Sequence, residues 1–167
     1  GDPANVVLAA CPFDASLAGK SLAQVLRDRK RPPTPDQAAD LAVELVQKGG
    51  CSAVYHAISE DDLVRIMKHP ATMIASDAAP GVPVFGKDVP HPRAYGTFAR
   101  VLGVYVREKH VLTLEDAVRK MSGFPAQRMR LTDRGLLRPG MKADVVVFNP
   151  STIIDKATFE KPHQYAE

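Results

Sequence analysis

The chain has 167 residues, of which 45% are hydrophobic and 25% charged, and a formal net charge of +3. That mix excludes a disordered polypeptide, and the length allows one domain with a real core. The small charge, the absence of Trp and the presence of only 4 Tyr and 6 Phe exclude an aromatic stacking platform, so no nucleic-acid partner is expected.

Asn5 to Ala10, NVVLAA, is rich in β-branched residues and reads as a buried strand ended by Pro12. Ser21 can cap a helix in the run Gly19 to Leu26. The basic knot Arg27-Asp28-Arg29-Lys30-Arg31 then leads to Pro32 and Pro33 and reads as a solvated loop. Thr34-Pro35-Asp36-Gln37 is a second helix start, with Thr34 as cap and Pro35 at the first helical position. Leu41, Leu45 and Val46 keep helical spacing, and Gly49-Gly50 stops the helix.

Cys51 to His56 reads as a second strand, and Ser59 caps a helix with Glu60, Asp61 and Asp62 in its first turn. Leu63, Ile66 and Met67 are its apolar stripe, and His69-Pro70 ends it. Thr72 to Ser76 reads as a third strand. Strands alternating with helices imply parallel strands with right-handed crossovers. Asp77 to Arg93 is a long proline-rich loop, of a length that is usually functional or disordered. Helices are expected over Gly96 to Lys109, from Thr113 to Gly123 and over Pro125 to Leu131. The stretch Gly135 to Phe148 holds a Pro-Gly turn and a final strand, ADVVVF. No run approaches membrane-spanning length and no signal peptide opens the chain, so a cytoplasmic protein without a membrane partner is expected.

The two cysteines, Cys11 and Cys51, lie in no metal-type spacing and adjoin apolar runs, so both read as buried free thiols. Asp77 is the candidate for chemistry. In a parallel α/β barrel the active-site residues stand at the C-terminal ends of strands, and a carboxylate there can bind a metal or take a proton from water. An Asx turn or an N-cap is the alternative use of the same residue. Tyr55 and His56 end the second strand and Ile58 follows; on that geometry they can face the same site, although His56 alone reads rather as a hydrogen-bonded structural histidine. His91-Pro92-Arg93 closes the long loop. Arg93 can pair with a substrate carboxylate through two hydrogen bonds, or pin the loop by a salt bridge. His69, His110 and His163 have no partners at metal-ligand spacing and read as structural.

The stretches ASDAAP, PHPRAYGTFARVLGVYVREKHVLTLEDAVRKMSGFPAQRMRLTDRGLLRPGMKADVVVFNP and IIDKATFEKPHQYAE closely resemble the C-terminal part of N-acyl-D-amino-acid deacylases, the D-aminoacylases of the amidohydrolase superfamily. The resemblance covers essentially the whole chain and is most specific at HPRAYGTF and DRGLLRPGMKADVVVF. It implies zinc-dependent hydrolysis of an N-acyl-D-amino acid to a carboxylate and a free D-amino acid. It also implies an α/β fold. Residues 1–134 would supply the last strands and helices of a (β/α)8 TIM-type metallo-hydrolase barrel, and 135–167 would return into a small β-sandwich.

By the same resemblance, Asp77 accepts the proton of the attacking water and touches a second, weaker metal position. Arg93, with His91 in its motif, holds the substrate carboxylate, and Tyr55 and Ile58 wall the side-chain pocket. That wall is mostly apolar, which favours an apolar D-amino acid over D-Asp or D-Glu. Two departures stand out. Ala78 replaces a Gly frequent after the aspartate, where a positive φ would strain Ala. The family's H-x-H, metal-binding Cys and later His ligands have no counterpart here. The chain therefore reads as a fragment, inactive by itself, that self-associates or needs a complementing N-terminal barrel portion. The competing readings are a dihydroorotase-like or hydantoinase-like enzyme acting on cyclic amides, and a non-catalytic half-barrel interaction subunit.

Overall fold

The computed structural model describes residues 1–78 and 89–167. They divide into two compact units. The first comprises Gly1–Ala57, Ala78–Ala94 and Thr158–His163; the second comprises Ile58–Asp77, Tyr95–Ala157 and Gln164–Glu167. Each has its own hydrophobic core.

In the first unit, strand β1 (Val6–Ala10) is followed by helices α1 (Leu22–Asp28) and α2 (Pro35–Gln47) and by strand β2 (Ser52–Tyr55). The caps fall where the sequence puts them. Ser21 and Gln24 form a reciprocal capping box, and the Thr34 hydroxyl accepts the Gln37 N–H with Pro35 in the first turn. Leu22, Val25 and Leu26 of α1 and Ala38, Leu41 and Leu45 of α2 close over Leu8 and Leu17 as one core. The basic knot is neutralised rather than merely solvated: Arg29 and Arg31 both bind the Glu44 carboxylate, at 2.9 and 2.5 Å.

Two expectations are corrected here. β1 and β2 pair antiparallel, with Val6 opposite Tyr55, Val7 opposite Val54, Leu8 opposite Ala53 and Ala10 opposite Ser52. They are not successive strands of a parallel sheet. A parallel pair needs one crossover, whereas the two helix starts at Ser21 and Thr34 put two helices between these strands and return the chain in the opposite sense. Cys11 and Cys51 are not free thiols but a disulfide, with Cα atoms 4.4 Å apart. The antiparallel register causes this, since Ala10 faces Ser52 at the end of the ladder and each cysteine is the adjacent residue.

The second unit begins with α3 (Glu60–Lys68), capped by Ser59 as expected. α4 (Arg93–Arg100), whose first two residues belong to the first unit, leads into a wider, π-helical stretch, Val101–Glu108. α5 (Leu114–Val118), a π turn over Arg119–Gly123 and α6 (Phe124–Arg128) form one run where the sequence suggests two helices. The wide turn precedes Pro125, whose ring clashes with the carbonyl four residues back in a regular helix. Met67, Val101, Leu102, Val104, Tyr105, Leu112 and Ala117 make the core. Gly103 lets another segment close on this helical run: a Cβ there would stand 2.6 Å from the Ile153 carbonyl oxygen.

Thr72 to Asp77 keeps the two-residue alternation of a strand. Thr72, Ile74 and Ser76 are half-buried, while Met73, Ala75 and Asp77 are exposed. It has no ladder partner among the described residues. The same holds for ADVVVF, where Val145, Val146 and Val147 are 59%, 82% and 91% exposed. No helix of the described residues is long and apolar enough to cross a membrane.

Candidate active site

Asp77 ends the extended run with its backbone in the left-handed region, at φ 49°. Aspartate and asparagine tolerate that conformation better than other residues with a side chain, because their short polar groups bond locally. The strain feared for Ala78 does not arise, since the positive φ falls on Asp77 and not on Ala78. The run is held from within its own unit. Ile74 N–H donates to the Lys120 carbonyl at 3.1 Å, and the fully buried Lys120 ammonium donates to the carbonyls of His69 at 2.5 Å and Thr72 at 3.3 Å. Arg119 adds a bond to the Pro70 carbonyl at 3.0 Å. Two neighbouring cations thus satisfy carbonyls just past the C-terminus of α3, where a helix leaves acceptors and a negative dipole end.

In the first unit the His91 side chain turns back on its own motif. Its Nδ1 accepts the Arg93 N–H at 3.0 Å, and its carbonyl accepts the Ala94 N–H at 3.1 Å. His91 therefore fixes the first residue of α4, which is Arg93. Burial, reinforced by the Arg93 cation and by His56, pushes the His91 imidazole below its ordinary pKa. The neutral ring keeps an unprotonated Nδ1 that can accept. Phe159 contacts both imidazoles, edge-on to His56 with ring centroids 4.5 Å apart and to His91 at 5.0 Å.

The structure thus brings together His91, Arg93 and His56, the last through Phe159. Tyr55, at the end of β2, is 69% exposed, and Ile58 is 79% exposed. Within their respective units neither is packed into a wall. Asp77 is exposed too and belongs to the second unit. Residues 79–88 of the long loop lie outside the described residues. Two residues now important escaped sequence reasoning. Phe159 left no signal beyond lying in a family-like stretch. Lys120 sits three residues after the buried Ala117, at helical spacing on the core side, and that position could have marked it.

Among the described residues no group of three or more His, Cys, Asp or Glu could hold a metal ion. Both cysteines are oxidised, so neither offers a thiolate. These residues do not fit a zinc cage.

Residues 65–167 match a family model described as the amidohydrolase family. The chain is 41% identical to N-acyl-D-glutamate deacylase of Alcaligenes xylosoxydans xylosoxydans, over 78% of this chain and 28% of that protein. It is 39% identical to D-aminoacylase of the same organism, over 97% of this chain and 31% of the relative. The solved structure of N-acyl-D-glutamate deacylase from Bordetella bronchiseptica, complexed with zinc and a phosphonate mimic of the tetrahedral intermediate, superposes with a TM-score of 0.82 at 34% identity, covering 97% of this chain and 31% of that one. The chain thus spans under a third of the length of the relatives it matches.

Proposed function

This chain belongs to the amidohydrolase family, and from that membership we propose that the whole protein hydrolyses the amide of N-acyl-D-amino acids, releasing a carboxylate and a D-amino acid. The observation that carries the proposal is the likeness along nearly the whole chain to a D-aminoacylase. Zinc belongs to the proposal, because a relative was solved with zinc at its inhibitor complex. Its main ligands lie outside the described residues, with Asp77 reaching only a second, weaker metal position, and this chain alone is inactive.

The roles within this chain are assigned from its likeness to that family. The Asp77 carboxylate takes the proton of the attacking water and returns it to the leaving amine, as a positioned carboxylate can. Its left-handed backbone and the Lys120 anchor at Ile74 support that role by fixing where the carboxylate starts. The Arg93 guanidinium holds the substrate carboxylate, and His91 sets its place by accepting the Arg93 N–H. By the same likeness Tyr55 and Ile58 are candidate contacts for the substrate side chain, and their apolar character favours an apolar D-amino acid.

For the fold, the Thr72–Asp77 run is a strand of a (β/α)8 barrel, and the exposed Val145–Val147 segment pairs into a small β-domain. The two-residue alternation of Thr72–Asp77 and the exposure of Val145–Val147, neither in a ladder among the described residues, support this reading.

The test is acetate release by the whole protein from a panel of N-acetyl-D- and N-acetyl-L-amino acids. Turnover confined to the D series, best with apolar side chains, is expected. Turnover of the L series or of cyclic amides in its place would overturn the proposal. A preference for D-Glu or D-Asp would overturn the pocket assignment alone.

A further inference from the structure

Thr158–Lys161 forms a tight turn within the first unit. Thr158 N–H donates to the Lys161 carbonyl at 3.1 Å, and Lys161 N–H donates to the Thr158 hydroxyl at 3.0 Å. This turn presents Phe159 to the motif that carries Arg93, although the two lie far apart in sequence. The ring meets His91 edge-on, with an interplanar angle of 79°, and meets His56 at 61°. Edge-to-face pairs are directional, so the contact sets the orientation of the imidazole as well as its place. The orientation matters because Nδ1 must point at the Arg93 N–H, 3.0 Å away, to start α4 at that residue.

We propose that Phe159 is a positioning residue for binding of the substrate carboxylate: through its edge contact with His91 it fixes the turn from which Arg93 projects. The proposal rests on the reading of Arg93 as the carboxylate clamp. It assigns a binding role to a segment near the end of the sequence that has no reacting group of its own. His56 also meets this ring edge-on, braces Phe159 and ties it to the end of β2.

The effect is one of orientation, so it falls on recognition of the carboxylate and not on bond cleavage. In the whole protein, Phe159→Leu raises KM for an N-acetyl-D-amino acid about three- to tenfold, the size of a lost aromatic pair, with kcat nearly unchanged. Phe159→Tyr keeps the ring and stays near wild type. His91→Asn keeps an acceptor for the Arg93 N–H but loses the ring partner, and it reproduces the Leu split, which provides a second readout if the Leu variant folds poorly.

The same kinetics are measured on the carboxamide counterpart of the substrate and in an Arg93→Ala background. Phe159→Leu is expected to leave the carboxamide KM unchanged and to add nothing to Arg93→Ala. Equal KM losses on acid and amide, or additive losses with Arg93→Ala, overturn the positioning role. If Arg93→Ala itself does not discriminate acid from amide, the clamp falls and the positioning role falls with it. That outcome is distinguishable because it appears in the single Arg93 variant.

Discussion

Cys11 and Cys51 meet at the end of an antiparallel ladder, and their disulfide closes 40 residues that contain both helices of the first unit. A closed loop of that length restricts the unfolded chain and contributes about 2–4 kcal/mol. Reductant, or Cys51→Ala, should lower the denaturant midpoint of the first unit accordingly. Thiol titration of unreduced, denatured protein should find no free thiol. A count of two would show that the bond is not made in the compartment of origin, as a reducing cytosol would dictate.

Lys120 is a charge with no exposed surface, held by two main-chain carbonyls and 3.9 Å from the Asp116 carboxylate. Lys120→Ala removes both charged bonds and leaves a cavity. It should cost about 3 kcal/mol in urea unfolding and raise hydrogen exchange at Ile74, whose N–H binds the Lys120 carbonyl. A variant as stable as the wild type, with exchange unchanged, would remove Lys120 as the anchor of the Asp77 segment.

Glu60 accepts hydrogen bonds from Lys109 and from the Tyr105 hydroxyl, the latter at 3.3 Å. The Lys109 hydrogen bond is the main cause that lowers the Glu60 pKa, and Glu60 in turn raises that of Lys109. A lowered carboxylate stabilises the fold above its unfolded pKa, and that stability is lost as pH falls through the folded value. A raised ammonium contributes below its unfolded pKa and loses its effect as pH rises through the folded value. The pair therefore supports the second unit at neutral pH and fails in acid and in strong base. Both side chains are about half exposed, so the effect is small and weakens with salt. The stability gap between wild type and Glu60→Gln should be widest near neutrality and vanish in acid; a gap independent of pH would refute the pairing.

Val146 and Val147 stand almost wholly in solvent on an apolar run that has no strand partner among the described residues. Such a run recruits other strands. The isolated chain should self-associate with rising concentration, and Val146→Lys should weaken that association. A wild-type chain monomeric at all concentrations by light scattering would count against an uncovered strand.

Local signals were legible in the sequence wherever the physics is local. Ser21, Thr34 and Ser59 cap helices because their hydroxyls reach backbone donors three residues on. The same alphabet fails where the outcome depends on distant chain. Strand direction depends on how the two helices between β1 and β2 pack, and treating them as a simple alternation of strand and helix inverted it. The disulfide needed that register, so spacing alone left both cysteines as thiols. Alternation marked Thr72 to Asp77 as extended, but a ladder requires a partner that periodicity cannot supply. Asp77 and Arg93 could be nominated because a carboxylate at a strand end and an arginine after a loop are unusual in place, but their proposed roles came from the family resemblance. Phe159 could not be nominated, because its contact exists only where a turn brings it against His91.

The central claim is that Asp77 carries the proton in D-amino-acid deacylation, and Asp77→Asn in the whole protein tests it most directly. Asparagine also accepts the left-handed backbone at this position, so the fold is spared while the base is lost. Removal of a positioned general base costs about 10²- to 10⁴-fold in turnover. The measurement is acetate release from the preferred N-acetyl-D-amino acid alongside bound zinc per chain. Turnover is expected to fall by that factor with zinc retained. Wild-type turnover in Asp77→Asn would contradict the claim.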